Sequence, residues 1–499
     1  MQSILNTINS VADFLIGIVW SNWLIYLLLL TGVFFTIITR GVQIRKLPQM
    51  VRMIFQREQG ENGVGVSDYQ SFVITVAARV GTGNIVGTAA AIAWGGLGAV
   101  FWMWVLALLG GATALAESTL AQTYKMKIGN EYCGGTTYMI DRALGQKWLA
   151  IVFAVLTAAA FCIGGPGVHS NAMASALNMT LNIDPTITGV ILVALMAYVG
   201  LGGIKRLAHI STVISPVMAL IYLLLSVVII VVNFGQFPSV ISMIFSCAFG
   251  GNALFGGIVG SALSWGIMRG IYSNEAGMGT ATFPAAAAET SHPVKQGLMQ
   301  SMSVFVDTLL ICSATAFMIL VTNTYNVFDV DGTAIVEYLP GVEPGIGFVI
   351  SAVNSFLPTI GGTFITLMLV LFSFSSLMTA FYAAETNVTY IFPKGRAHKI
   401  SVWTARALVL ITTFYGTQVT TSNVFKLADV GFGAMAWVNV LAILLLSGTV
   451  IKLLKDYERQ SAEGLDPVFD PEQSNVKHAE LWNEIKRTFK KETDNYGKN

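Results

Sequence analysis

Eleven apolar stretches, each near the length of a lipid bilayer, are separated by loops that are basic in every second gap. A helix crosses the hydrocarbon core with roughly 20 mainly apolar residues. The stretches fall near 16–39, 69–94, 98–123, 148–178, 186–203, 211–233, 252–284, 297–322, 361–391, 402–421 and 427–452. Backbone in lipid must satisfy its own hydrogen bonds, which a helix does. The expected class is therefore an all-α polytopic membrane protein with 11 transmembrane helices. Composition agrees: only 11% of the residues are charged and 54% are hydrophobic, whereas soluble domains carry about a quarter charged residues.

The loops orient the chain. With the N-terminus outside, the first inner loop reads "RGVQIRKLPQMVRMIFQREQ". The later inner loops hold Lys125, Lys127, Arg142 and Lys147, then Lys205 and Arg206, then Lys295, then Lys394, Arg396 and Lys399. Lys452, Lys455 and Arg459 follow the last stretch. The outer loops "NMTLNIDP" and "NFGQFPS" have no Lys or Arg, and the longest, about 323–360, carries Asp329, Asp331, Glu337 and Glu343 without a base. This is the positive-inside pattern, with the C-terminus cytoplasmic. A multi-pass protein of the cell membrane is expected, with transmembrane residues 1–454 and a cytoplasmic tail, 455–499. The tail has a short helix near "HAELWNEIKRTFKK". Within the outer loop, "GVEPGIGFVISAVNSFLP" is too short to span and reads as a re-entrant or surface-lying helix. The first 20 residues lack a basic region and a cleavage site, so they read as a retained segment.

Several function classes are excluded at this level. A net charge of +1 offers no field for nucleic acid. Cys133, Cys162, Cys247 and Cys312 lie far apart, without the spacing of a zinc site or a disulfide framework. No clustered Asp/His/Cys chemistry suggests a membrane-embedded enzyme, and no repeated filter loop suggests a channel.

Two stretches are interrupted. "ARVGTGNIVG" (78–87) breaks the second, and "SWGIMRGIYSNEAGMGTATFP" (264–284) breaks the seventh, with Arg269 before Gly270 much as Arg79 stands before Gly81. Five stretches separate the two, so they cross in opposite directions. Paired Gly-interrupted helices in two halves point to a transporter site. Unwound N–H groups at a half-helix end hold an anion, and freed carbonyls suit a small cation or an ammonium. A single Gly-rich patch more often only lets helices approach; two matched patches with polar residues at mid-depth favour the site. The spacing of "GTGNIVG" is wrong for a dinucleotide fingerprint, and no strand precedes it.

These residues, with "GGLGAVFWMWVLALLGG" at 95–111, "GGIKR" at 202–206 and "RGIYSNEAGMGTA" at 269–281, resemble the alanine/glycine:cation symporter family, also called sodium:alanine symporters. The resemblance covers about residues 14–452. It implies a five-plus-five inverted-repeat amino-acid transporter fold with discontinuous second and seventh spans. The extra helix would be 16–39, repeat one about 69–233, repeat two about 252–421, and the final helix about 427–452. It implies uptake of a small neutral amino acid coupled to Na⁺ by alternating access, with no other cofactor, in a protein functional as a monomer. The nearest alternative is a proton-coupled carrier.

The resemblance also implies roles. Thr82, Gly83 and Asn84 would hold the substrate carboxylate, and carbonyls near Gly266, Ile267 and Gly270 would face its ammonium. Carbonyls of Ala77, Val80 and Phe372 with the hydroxyls of Ser375 and Ser376 would bind sodium. The family usually has two threonines where Ser375 and Ser376 stand in "FSFSSLMTAFYAAE", and serine keeps the ligand oxygen. Two departures bear on specificity: His169 in "GGPGVHSNA" replaces a glutamine, and Ala380 replaces a tryptophan. The second widens the pocket, which admits a larger substrate such as glutamine unless Met378 or Phe381 fills the gap. His169 either bonds a polar substrate side chain or satisfies a neighbouring helix.

The buried ions Arg79, Glu117, Arg269, Glu275, Asp307, Glu385 and Asp429 require partners at this depth. Asp307, in "SVFVDTLLICSA", suits cation coupling, or equally an ion pair with Arg79 or Arg269. Glu275 and Glu385 read as structural or gating residues.

Overall fold

A computed structural model of the chain describes residues 13–55, 65–129, 131–200, 203–251, 256–487 and 489. It is almost entirely helical. Helix α1 (Asn22–Ile38) is followed by the surface helix α2 (Leu47–Phe55), whose only buried residue is Met50. Helix α3 (Asp68–Arg79) starts at a capping box. Ser67 Oγ accepts from Gln70 N and Gln70 Oε1 accepts from Ser67 N, which satisfies two donors the first turn leaves free. After a break, a π turn (Gly83–Gly87) leads into α4 (Thr88–Gly95), bent 49° from α3. Helix α5 (Gly98–Thr123) and a hairpin, β1 (Met126–Ile128) with β2 (Glu131–Cys133), lead to α6 (Thr136–Leu144).

Helices α7 (Lys147–Ala159) and α8 (Gly165–Leu181) continue each other through a π turn. Then follow α9 (Pro185–Gly200), α10 (Gly203–Val232) and α11 (Phe237–Ala248). Helix α12 (Val259–Asn274) and the short α13 (Thr282–Ala287) flank a second break. Helices α14 (Pro293–Val304) and α15 (Ser313–Val321) are joined by π geometry. A hairpin, β3 (Asn326–Phe328) with β4 (Ala334–Glu337), precedes α16 (Ile346–Phe356). Helices α17 (Gly361–Ile391), α18 (Gly395–Gln418), α19 (Thr421–Leu445) and α20 (Ser447–Ala462) complete the order.

Among the described residues, seven helices are long and apolar enough to cross a membrane, or eight if α3 and the bent segment after it count as one. The three remaining expected stretches correspond to α9 and α12, which have 16 residues each, and to α18, which carries Arg396, Lys399 and Arg406. The expected stretch at 427–452 ends earlier, because the chain leaves α19 at Leu445 and restarts as the amphipathic α20. The outer-loop piece forms α16, whose apolar residues are buried against α15 and α17.

The helices pack in two groups. Segments α3–α4, α5, α12–α13 and α14 contact one another, and α7–α8, α9, α17 and α18 do the same. Helix α10 touches both groups, through α3 and α17. The interrupted segments of the first group face α17 and α8 of the second, and the site lies on this seam.

Candidate functional site

The first break begins where Val80 leaves helical geometry, with φ −72° and ψ 98°. Asn84 holds the break from within the same segment: its Oδ1 accepts from Gly81 N at 2.8 Å. Its amide donates to Asp307 Oδ1 at 2.6 Å and more weakly to the Asp307 carbonyl at 3.2 Å. Gly81 and Gly83 have to be glycine here. A Cβ on Gly81 would stand 2.6 Å from Ser376 Oγ, and one on Gly83 would stand 2.9 Å from Ser273 Cα.

Opposite the break, α17 presents hydroxyls to the freed backbone of α3. Ser375 Oγ lies 2.8 Å from the Ala77 carbonyl and 2.7 Å from that of Phe372. Ser376 Oγ lies 2.9 Å from Ala78 O, 3.3 Å from Phe372 O and 3.4 Å from Ala77 O. Ala77, Phe372, Ser375 and Ser376 are all buried, and their hydroxyl and carbonyl oxygens lie within hydrogen-bond distance of one another, which brings together four of the five residues expected to bind sodium. Val80 sits beside it at the helix end. Hard monovalent cations prefer such carbonyl and hydroxyl oxygens to sulfur or imidazole.

His169 stands at the same break, its Nδ1 3.2 Å from Thr82 Oγ1. It also lines a cavity on the seam with Thr75, Glu275, Ser376, Thr379 and Ala380. Ala380 thus opens onto the space beside the break. Met378 and Phe381 line a separate cavity with Val199 and Gly200, yet the space left beside Ala380 is small, about 30 Å³. Phe161, Tyr382 and Phe432 supply its aromatic wall.

The second break lies within the interrupted stretch 264–284, in its C-terminal half, beyond the carbonyls expected to face the ammonium. Helix α12 runs unbroken through Gly266, Ile267 and Gly270, and the two glycines face α5. A Cβ on Gly266 would lie 2.5 Å from Ala99 O, and one on Gly270 would lie 2.8 Å from Leu106 Cδ2. Here glycine serves close helix contact. The chain breaks at Glu275–Ala281, where Glu275, Gly277 and Gly279 take φ +54°, +89° and +82°. Glu117 of α5 and Asn439 of α19 hold this turn. Glu117 Oε2 accepts from Gly279 N at 3.2 Å and from Asn439 Nδ2 at 2.7 Å, and Asn439 Nδ2 also donates to Gly277 O at 2.9 Å.

Asp307 is wholly buried and takes its hydrogen bonds from uncharged donors. Besides Asn84, Ser273 Oγ and Thr308 Oγ1 each donate to Oδ2 at 2.8 Å. The arginines that were its alternative partners are engaged elsewhere. Arg269 pairs with Asp429 at 3.5 Å within a cage of Trp265, Tyr272 and Phe425. Arg79 Nη1 donates to Gln300 O and Ser303 Oγ, while its Nε and Nη2 meet no partner among the described residues. Glu385 forms a paired contact with Arg406, a structural tie between α17 and α18.

Ser273, Thr308 and Asn439 escaped the sequence reading. Asn439 carried the signal that could have found it, an amide alone in the apolar run "AWVNVLAI". Ser273 and Thr308 did not, since isolated hydroxyls in membrane helices commonly bond back to their own turn.

Comparison with known proteins decides the family. The model of the sodium:alanine symporter family matches residues 5–471. The chain belongs to this family. Among its relatives, YrbD of Bacillus subtilis (strain 168), assigned as a sodium/proton-dependent alanine carrier, is 48% identical over 474 residues, covering 94% of this chain and 97% of the relative. GlnT of the same organism, assigned as a sodium/glutamine symporter, is 39% identical, covering 94% of each chain. Among solved structures, MhsT in complex with L-phenylalanine matches with TM-score 0.53 at 14% identity, covering 86% of this chain and 96% of that one. That likeness shows the fold, a helical secondary-transporter fold. This sodium:alanine family member is an amino-acid symporter of the membrane, crossing it several times, and not an enzyme.

Proposed function

We propose that the protein imports a small neutral amino acid together with Na⁺ by alternating access, from a cell membrane in which its N-terminus is outside and its C-terminus cytoplasmic. It works as a monomer with eleven spans. These are the eight apolar segments with α9, α12 and α18, arranged as an extra N-terminal helix, two inverted repeats and a final helix. The convergence of Ser375 and Ser376 on the carbonyls of Ala77 and Phe372 carries the reading. A sodium ion on these oxygens would replace the hydroxyl-to-carbonyl hydrogen bonds that join α3 to α17, Ser375 to Ala77 and Ser376 to Ala78. It would thereby fix the first break against the second helix group.

The substrate lies at the first break, with its carboxylate toward Thr82 and Gly83 and its side chain toward His169 and Ala380. Asn84 acts by shaping the break and bridging it to Asp307. The ammonium end is taken by the backbone that α12 frees beyond Asn274, one to two turns past Gly270. The cavity beside Ala380 holds about 30 Å³, room for a methyl-sized group, so a longer side chain enters only where the aromatic wall of Phe161, Tyr382 and Phe432 gives way. The relatives' names, which include both alanine and glutamine, are consistent with that range.

The test is uptake of radiolabelled amino acids into proteoliposomes, with Na⁺ replaced by K⁺ and each amino acid offered as competitor. Uptake should require Na⁺ and be inhibited by alanine and glutamine. A proton-coupled reading has one observation in its favour: among the described residues the buried Asp307 takes its hydrogen bonds from an amide and two hydroxyls, and no basic side chain is bonded to it. Uptake that persists without Na⁺ and collapses with the pH gradient would establish it instead.

A further inference from the structure

Beyond α20 the chain turns back beneath the bundle and seats itself on the end where α5 finishes and α14 begins. Gln460 clamps the return by bonding both backbone groups of Val468, at 2.9 and 3.2 Å. Phe469 N donates to Ser291 O at 2.9 Å, and Ser291 Oγ donates to Pro467 O at 2.8 Å. Asp466 pairs with Lys295 of α14 at 2.8 Å. Hydrogen bonds from His292 and Arg459 outweigh burial and hold the Asp456 carboxyl below its usual range, so this part of the contact stays charged near neutral pH.

Trp482 is the deepest element of this segment. Its side chain is fully buried, and its Nε1 donates to the carbonyls of Thr123 at 3.1 Å and Gln122 at 3.3 Å. The last carbonyls of a helix have no intrahelical partner, so the indole caps α5 from outside. Phe469 meets the indole edge-on at 5.1 Å, and Lys125 Nζ stands 5.0 Å from its ring. Buried aromatic anchors of this kind dominate the energy of a contact surface. Two residues earlier, Glu480 pairs with Arg142 on α6. Helix α6 packs on α7 and is tied to α17 through Thr137 and Asn387, and it also meets α5 and, through Thr136 and Thr282, α13, so Glu480 engages the helix that bridges the seam at this end.

The segment is linked to the cavity at one remove: Gln122, whose carbonyl Trp482 caps, donates to Ala285 O of α13, next to Phe283 and Pro284, which line the cavity together with Thr379 and Ala383. We propose that residues 463–487 are a strap that holds the seam shut at this end, so that the cavity opens toward it only when the strap lifts. The occupancy of the strap then sets the rate of the opening step. The docking surface on the ends of α5 and α14 is matched to this segment of the chain itself. The link to transport rate rests on the symport reading above; the link to opening does not.

The experiment places a reporter cysteine at Ala383→Cys in the full-length protein, with Cys133→Ser removing a half-exposed native thiol. Its labelling by a membrane-permeant maleimide in proteoliposomes reads opening without any transport. Trp482→Ala and a chain ended after Glu463 should each label about tenfold faster, the scale expected when a buried aromatic anchor is lost. In the opposite direction, Arg142→Cys with Glu480→Cys, joined by a reducible bis-methanethiosulfonate reagent, should slow both labelling and alanine uptake severalfold, with recovery on reduction. Unchanged labelling while limited proteolysis shows the strap released overturns the strap and leaves symport standing. A cross-link that forms without slowing either readout overturns it too. Faster labelling with no Na⁺-driven uptake in the parent protein counts against the symport reading instead.

Discussion

The two breaks are built differently. The first is closed by its own sequence: Asn84, three residues on, caps Gly81, and the freed carbonyls of Ala77 and Ala78 turn toward the hydroxyls of α17. The second has a local cap as well, Asn274 Oδ1 accepting from Ala276 N at 3.0 Å, but its two glycines are held from a distance, by Glu117 on α5 and Asn439 on α19. A locally capped break keeps its shape while neighbouring helices move, because its partner travels with it. One held by distant side chains keeps its shape only while those helices stay in place. The first break thus suits a binding site and the second suits a moving part. Asp307 joins them, taking one bond from Asn84 at the first break and one from Ser273 just before the second.

The sharpest challenge to this contrast is Asn84→Ala, which removes the local cap and takes from buried Asp307 the amide that serves its Oδ1. Each such loss costs about 1–3 kcal/mol, so Na⁺-driven uptake should fall roughly 100-fold, and unchanged uptake and affinity would remove Asn84 from the site. At the second break, Gly279→Ala adds a Cβ at φ +82° within 2.6 Å of Thr136 Oγ1. The left-handed conformation alone costs about 1–2 kcal/mol, and the thermal unfolding midpoint should drop by several degrees. Glu117→Ala should lower uptake about tenfold, whereas Glu117→Gln, which keeps an acceptor oxygen for Gly279 N, should stay within about threefold. Equal loss in both variants would mean that the charge of Glu117 matters and that the clamp description is wrong.

Ser375→Ala should raise the Na⁺ concentration for half-maximal uptake about tenfold, as expected for one charge-assisted oxygen contact. Ser375→Thr should leave it nearly unchanged. The smallest effect falls on alanine uptake in Ala380→Trp, which should change about twofold, while competition by glutamine disappears. Competition by glutamine that survives the tryptophan would place the side-chain pocket elsewhere.

What the sequence reveals here follows the range of the interactions. Apolar run lengths and the basic loops mark the helices because each is a property of twenty neighbouring residues. The first break is legible for the same reason, since glycines, asparagine and the end of α3 lie within six positions. The second lies within the stretch read as interrupted, 264–284, but beyond Gly266 and Gly270, because a glycine that admits a ligand and a glycine that admits a neighbouring helix are the same letter. Ala99 and Leu106, far away in the chain, distinguish them. Glu117 was recognisable as needing a partner, but its partner Asn439 lies 322 residues away. The fate of Asp307 was open for a related reason: a carboxylate served by an amide and two hydroxyls looks, in sequence, like one awaiting an arginine.

The glycine contacts of α5 carry a mechanical consequence. Gly266 and Gly270 of α12 bring that helix against α5 with no side chain between them, and Gly297 of α14 meets Thr119 and Leu115 of the same helix. Such close surfaces leave no room to slip, so α5 behaves as a keel to which α12 and α14 are keyed. Any rocking of this block is then taken up at its edge, where α3 meets α17 of the second group and where Ser375 and Ser376 bond the carbonyls of Ala77 and Ala78.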